Sequence, residues 1–350
     1  MFNTMLNTVF RKKRRTAIGV DIGNRAVKAV ALEGDGARRK FALKGYNVES
    51  TTAVATALSD KALGGTVRRT VSKLHGDERG VRASVSGNTV VVRYIRMPAM
   101  ALDDLRSSIR YEAGQHIPFD VKEVELDCTI LRPPSNGDGK MDVMLVAARK
   151  SACERVLNIL KAAALTPNCI DVDPVATINA FLLAHTPEPD KPTALLNIGA
   201  KQTAVSILSG GVPAFTRCIE IGGEGLSLAI ARGLGIELEE AERLKVFGDP
   251  IIGSHLDMVF NSIGRQVRTS FDYFEGLASR TVTELYVSGG TSMLAPLREF
   301  LGRTLGVPVH EWNPLDGIEL GPFADDEILQ SIAPTLDVAV GLAARSVEAG

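Results

Sequence analysis

Asp21 closes an apolar run and is followed by Ile22, Gly23, Asn24 and Arg25, with Lys28 five residues beyond the glycine. A carboxylate at the end of a strand is suited to ordering water on Mg2+, an ion that favours one or two carboxylates and keeps several waters. The glycine lets backbone N–H groups approach phosphate oxygens with no Cβ between them. Lys28 brings an ammonium to the same phosphate. A second turn of this kind is Asn197-Ile198-Gly199-Ala200, followed by Gln202 and Thr203; a third is Gly289-Gly290, followed by Thr291, Ser292 and Met293. One such glycine reads as an ordinary tight turn. Three in this order, each after a strand-like run, read as a grip on one polyphosphate. Glu242 and Lys245 sit at i,i+3 on a helical stretch, where a surface pair contributes only tenths of a kcal/mol. Neither a P-loop nor a G-x-G-x-x-G fingerprint occurs.

These residues need strands to carry them. Residues 17–33 form two apolar runs broken at Gly23-Asn24-Arg25, the pattern of a β-hairpin. Residues 193–208 repeat that form, and Asp21-Ile22-Gly23 aligns without gaps on Asn197-Ile198-Gly199. The repeat predicts a duplicated α/β domain, one copy in each half. Between the copies, helices are expected near 54–75, 102–116 and 151–164, and from Asp173-Pro174 onward. A β-rich run is expected over 81–96, and strands over 123–132 and 141–148. Asp171 and Asp173 are candidates for positioning a water near the lobe junction, and a helix N-cap explains Asp173 equally well. The proline-rich stretch 184–192 reads as a hinge. After the second hairpin come a strand at 212–221, helices at 225–234, 237–247 and 255–279, and the strand 284–288 that feeds Gly289. A helix at 294–305, a strand at 307–311 and a helix at 334–348 close the chain.

A chain of 350 residues is long for one core, so two lobes are expected. A formal net charge of −1 and the lack of a basic stripe interleaved with aromatics argue against nucleic acid as a partner. Cys128, Cys153, Cys169 and Cys218 form no C-x-x-C pair, and the histidines lie far apart, which reads as a reduced intracellular protein without zinc. No apolar run approaches the ~20 residues of a membrane helix. Residues 1–15 form an amphipathic and then basic tail, with Met1, Phe2, Met5, Leu6, Val9 and Phe10 on one helical face ahead of Arg11–Arg15. It reads either as a surface anchor on an anionic membrane, at about 1 kcal/mol per basic residue, or as a frayed terminus.

As a set, the motifs D-I-G-x-x-x-x-K, N-I-G, E-E-A-E-R-L-K and S-G-G-T-S resemble those of the actin-like ATPase superfamily. Within it, segments 110–119, 171–181, 219–228, 239–245 and 287–294, with 313–317 and 339–343, are similar to the PilM family of the type IV pilus assembly platform. A more distant similarity is to the cell-division protein FtsA. The resemblance covers nearly all of the chain from residue 16 on. It implies an α/β, actin-like (ribonuclease H-like) duplicated two-lobe fold with a nucleotide cleft and an inserted FtsA/PilM-type α+β subdomain. The expected division is 16–92 with 168–190 and 333–350 for the first lobe, 93–167 for the insert and 191–332 for the second lobe.

The resemblance also implies ATP and Mg2+ as ligands. Asp21, Gly23, Asn24, Arg25 and Lys28 match the first phosphate motif, with Asp21 holding Mg2+ through water. Asn197, Gly199, Ala200, Gln202 and Thr203 match the second phosphate motif. Gly289, Gly290, Ser292 and Met293 match the adenosine motif, and Glu242 with Lys245 the pair that contacts ribose and base. Asp21 and Asp173 are the candidate catalytic residues. The implied partners are the cytoplasmic N-terminal tail of a PilN-like inner-membrane protein and other pilus platform proteins, at the cytoplasmic face of the inner membrane. One departure stands out. The second phosphate motif usually begins with Asp, and Asn197 lacks that charge. Losing one such group typically costs ~10²–10³ in rate, so hydrolysis is expected to be weak or absent. The competing functions are an FtsA-like filament-forming ATPase and a small-molecule kinase on the same fold, although no His or carboxylate cluster supplies a kinase's general base.

Overall fold

The computed structural model describes residues 15–35, 40–51, 58–74, 80–134 and 139–348. Of the expected N-terminal tail, residues 1–14 lie outside the described residues. The chain opens with β1 (Arg15–Ile22), β2 (Ala26–Asp35) and β3 (Lys40–Ser50), then α1 (Asp60–Ser72) and β4 (Val81–Val85). Next come β5 (Val90–Pro98), α2 (Leu102–Glu112), β6 (Val124–Arg132) and β7 (Lys140–Arg149). They are followed by α3 (Lys150–Ala162), β8 (Pro167–Val172) and α4 (Asp173–Ala184). The second half runs through β9 (Thr193–Ile198), β10 (Thr203–Ser209), β11 (Val212–Ile219), α5 (Gly223–Leu234), α6 (Leu238–Phe247) and α7 (Gly253–Ala278). Then come β12 (Glu284–Ser288), α8 (Ala295–Leu305), β13 (Val309–Glu311), β14 (Ile318–Glu319), α9 (Glu327–Ile332) and α10 (Asp337–Glu348).

The repeat read from the sequence appears as repeated topology. One sheet has the order β14-β3-β2-β1-β4-β8 and the other β11-β10-β9-β12-β13. In each, a hairpin strand (β1 or β9) pairs antiparallel with its successor and parallel with a later strand (β4 or β12). Both faces of the first sheet are covered at its centre, so β1 and β2 carry apolar residues on both sides. Ile18, Val20, Val27 and Ala29 pack under α1 and α3, while Ala17, Val30 and Leu32 pack under α4 and α10. Gly341 permits the contact of α10 with α4, since a Cβ there would lie 1.8 Å from the Ala176 carbonyl oxygen.

The insert is a third sheet, β5-β7-β6, all antiparallel, with α2 laid across it through Leu105 and Ile109. Its first strand runs along β11 of the second sheet. Asn88 Nδ2 donates to Glu220 Oε1, the Tyr94 and Thr216 hydroxyls bond at 2.8 Å, and Arg132 Nη2 donates to the Ser209 carbonyl at 2.7 Å.

Three expected boundaries differ. The β-rich run 81–96 is two strands in two sheets, because the chain crosses at Ser86–Thr89 from the first sheet into the insert. Helix α3, expected within the insert, buries Ile159 and Leu160 against Leu63 and Val67 beneath the first sheet. Residues 318–319, expected in the second lobe, pair with β3 of the first sheet. The cause is burial of Trp312, Leu315 and Ile318 in the core that also holds Phe41 and Leu43.

Candidate functional site

Strand β1 delivers Asp21 to the end of the first sheet, in register with Lys28 on β2. Lys28 Nζ donates to Asp21 Oδ2 at 2.7 Å, and Asp21 is only 6% exposed. Burial works against the Lys28 ammonium, but Asp21, with Asp337 and Asp173 further off, outweighs it and holds the pKa above the ordinary lysine value. In the second sheet, β9 delivers Asn197 in register with Ala204 on β10. The Gly199 N–H donates to the Gln202 carbonyl at 2.9 Å and closes that turn. The first N–H groups of α5 then cap it, Gly223 donating to the Gly199 carbonyl at 3.0 Å and Glu224 to the Ala200 carbonyl at 2.7 Å. Strand β12 ends at Gly289, whose φ of +87° suits only glycine and whose absent Cβ would lie 2.6 Å from the Ile198 carbonyl oxygen. The Thr291 hydroxyl donates to the Gly199 carbonyl at 3.1 Å, stitching the third turn to the second.

The three turns converge on one cavity of about 630 Å³ between the two sheets, within the size range of small-ligand sites. Every nucleotide-binding residue expected from the sequence lines it except Thr203 and Ser292. Those two are buried fasteners. Thr203 Oγ1 donates to the Ile221 carbonyl at 2.7 Å, and Ser292 Oγ to the Gly289 carbonyl at 2.7 Å.

Glu242 and Lys245 are no surface pair, for Lys245 is 7% exposed. Its Nζ donates to the Gly223 carbonyl at 3.0 Å, to Ser227 Oγ at 2.8 Å and to Glu242 Oε2 at 2.8 Å. Burial, outweighing Glu242, leaves the Lys245 pKa below its ordinary value. Burial also opposes the Glu242 carboxylate, but Lys245 and the Ser227 hydroxyl outweigh it and hold that pKa low. At the mouth of the cavity, Arg25 Nη2 is buried without a hydrogen-bond partner, and its nearest carboxylate, Glu224, stands 3.9 Å away. A buried cationic donor without a partner is costly unless an anion meets it.

The two aspartates near the junction separate. Asp171 faces Arg345 and forms an ion pair with it, and it does not line the cavity. Asp173 lines the cavity, but Val172 is the N-cap of α4 and Asp173 is the first helical residue, so capping does not explain it. Burial first, and then the charge of Asp21, push the Asp173 carboxyl up to about 7.

Sequence reasoning missed Asp337, the first residue of α10, which is 1% exposed. Its Oδ2 accepts from Thr177 Oγ1 at 2.9 Å, Ser288 Oγ at 3.0 Å and Asn197 Nδ2 at 2.5 Å. The available signal was a lone acid ahead of the apolar run V-A-V-G-L-A-A, which also reads as an ordinary acid in a helix's first turn.

The residues fit a magnesium nucleotide. Glycine turns offer close backbone approach, Arg25 Nη2 has no hydrogen-bond partner, and the Asp21 carboxyl group sits at the cavity wall beside Lys28. Among the described residues, no group of three or more His, Cys, Asp or Glu side chains could hold a metal by itself. A Mg2+ at Asp21 would therefore draw its other ligands from phosphate and water.

The profile of the type IV pilus assembly protein PilM matches residues 19–347. Among solved structures, a PilM–PilN type IV pilus biogenesis complex is 31% identical, with a TM-score of 0.84 over 95% of this chain and 98% of that one. The ethanolamine utilization protein EutJ from Carboxydothermus hydrogenoformans is 17% identical, with a TM-score of 0.58 over 94% of this chain and 89% of that one, a likeness of fold. The cell division protein FtsA of Bacillus subtilis (strain 168) is 31% identical over 101 residues, 29% of this chain. That match spans 22% of the length of FtsA.

Proposed function

The chain belongs to the PilM family of type IV pilus assembly proteins and has the actin-like duplicated fold; from that premise we propose that it is an ATP-binding adaptor of the pilus assembly machinery. In this reading it holds Mg-ATP between its lobes and binds the cytoplasmic N-terminal tail of a PilN-like inner-membrane protein, which keeps it at the inner face of that membrane. The observation that supports the ATP half is the convergence of the Gly23, Gly199 and Gly289-Gly290 turns on one cavity beside the unpaired guanidinium nitrogen of Arg25. The structural relative that is a PilM–PilN complex supports the partner half. Among the described residues, no single helix is long and apolar enough to cross a membrane.

Each residue then has a physical task. Asp21 orders the water around Mg2+, which when bound neutralises phosphate charge. Lys28 holds the Asp21 carboxyl in place through their ion pair, and Arg25 meets a phosphate oxygen. Glu242 and Lys245 face the ribose and base, and the Gly289-Gly290 backbone leaves room for the purine. Asn197 brings no charge, so turnover is weak and the nucleotide acts as a structural ligand. ATP binds the closed arrangement better than an open one, and it shifts the population by that difference in affinity.

The test is a thermal unfolding series with ATP and Mg2+ beside a titration with a synthetic peptide of the partner's tail. Melting rises with ligand as RT ln(1 + [L]/Kd) predicts, and peptide affinity changes when ATP is present. A melting curve indifferent to millimolar Mg-ATP would sink the ATP half, and an inert peptide the adaptor half.

A further inference from the structure

Resting on the nucleotide reading, we propose that Asp337 is a positioning residue that turns Asn197 into a fixed oxygen acceptor facing the cleft, where it accepts from water around the bound nucleotide. Asn197, next to last in β9, lines the cavity, whereas Asp337 lies behind it and does not. Burial raises the Asp337 pKa, and hydrogen bonds from Asn197, Thr177 and Ser288, with the charge of Lys28, oppose that rise. With all three donors on one carboxyl oxygen, Asn197 presents its NH2 edge to Asp337. An amide is planar, and its carbonyl oxygen lies on the opposite edge. Anchoring the nitrogen behind the cavity turns the oxygen towards it. An asparagine without such an anchor can flip, and its two edges offer opposite polarity to a ligand.

The anchor is itself held from several sides. Thr177 comes from α4, Asn197 from β9 and Ser288 from β12, and all three donate to the same oxygen of Asp337. Asp337 thereby ties both lobes together at the floor of the cleft. The other charged groups that bear on it are Lys28 and Asp173, both at the cavity wall.

The pairing also explains why residue 197 is an amide. In the first hairpin, the carboxylate of Asp21 is balanced by Lys28 across the strand pair. In the second, the residue across the strand pair is Ala204, which has no charge to offer. An aspartate at 197 would meet the Asp337 carboxyl at hydrogen-bond distance, with no donor between the two unless one of them takes up a proton. The chain instead keeps one carboxylate, one layer behind the ligand, and puts a neutral oxygen in front.

The experiment is an exchange cycle, read first by thermal unfolding without nucleotide at pH 8. Asn197→Asp sets two carboxylates in contact, and we expect a clear drop in melting temperature. Asp337→Asn leaves Thr177 and Ser288 an oxygen to donate to, and we expect a smaller drop. In the double variant Asn197→Asp/Asp337→Asn the new amide turns its NH2 to the three partners, donating to the carboxylate at 197 while a hydroxyl of Thr177 or Ser288 turns to accept. Its melting temperature therefore recovers above that of Asn197→Asp. A double variant no more stable than Asn197→Asp alone overturns the proposal, whatever the protein binds. The second reading is ATP affinity with and without Mg2+. The exchange moves the carboxylate to the cleft, and Mg2+ should strengthen ATP binding at least tenfold more in the exchanged protein than in the native one. A stable exchanged protein with the native Mg2+ dependence also overturns the proposal. Failure of the native protein to bind ATP at all would count against the nucleotide reading, separately from the stability cycle.

Discussion

At the tip of β1, Asp21 stands across from Lys28 and the two neutralise one another within a single hairpin. At the tip of β9, Asn197 stands across from Ala204, and the nearest carboxylate, Asp337, arrives from the far end of the chain. The two hairpins share strand order, pairing and a glycine turn, yet they handle charge in opposite ways. The two copies share a backbone geometry that, in the proposed reading, brings N–H groups to the nucleotide. Side-chain electrostatics have diverged freely around it.

The harshest way to break the comparison is to attack the backbone that both halves rely on. Gly289→Val forces a branched side chain onto a left-handed residue against the Ile198 carbonyl, and we expect loss of cooperative unfolding by circular dichroism. Gly290→Ala next to it, where an added Cβ meets nothing within 4 Å, should melt like the native protein. The second effect concerns the self-neutralised hairpin. Lys28→Met strands a buried Asp21, and breaking such a pair costs about 3 kcal/mol; chemical denaturation measures it. A loss below about 1 kcal/mol would mean that Asp21 is better solvated than its 6% exposure implies.

A pH series sharpens the contrast further. Asp173 titrates near 3.8 when unfolded and is pushed up to about 7 by burial and by Asp21. Between those values the folded protein holds a proton that the unfolded chain has lost, so raising the pH through that window lowers stability. Asp173→Asn should therefore melt with the native protein at pH 4 and above it at pH 8, in the absence of nucleotide and metal. Equal melting at both pH values would show that the carboxyl is not raised. The smallest stability effect is expected at Arg25. Its contact with Glu224 is 3.9 Å long and partly exposed, so Arg25→Ala should change stability by less than about 0.5 kcal/mol. ATP affinity, measured by titration calorimetry, should nonetheless fall clearly.

The parts of this site that could be read from the sequence are those whose signal is local. A glycine after an apolar run announces a turn wherever it occurs, and Asp21, Asn197 and Gly289 were found that way. Thr203 and Ser292 were placed in the right turns but with the wrong task, because spacing cannot tell a hydroxyl facing a ligand from one tying a loop. Asp337 escaped altogether. Its role depends on Thr177, Asn197 and Ser288, each far away in the chain, and nothing beside it in sequence hints at them. The crossing at Ser86–Thr89 escaped for a related reason. Strand propensity is blind to which sheet a strand joins, so two strands in two sheets looked like one run.

The seam between the insert and β11 limits how this molecule can move. The three bonds named above are spread from Ser209, the last residue of β10, beside the start of β11, to Glu220, just past the end of β11. A door bolted at top, middle and bottom does not swing until the bolts are drawn. Any widening of the cleft must either carry the insert along with the second lobe or part that edge bond by bond, starting from one end.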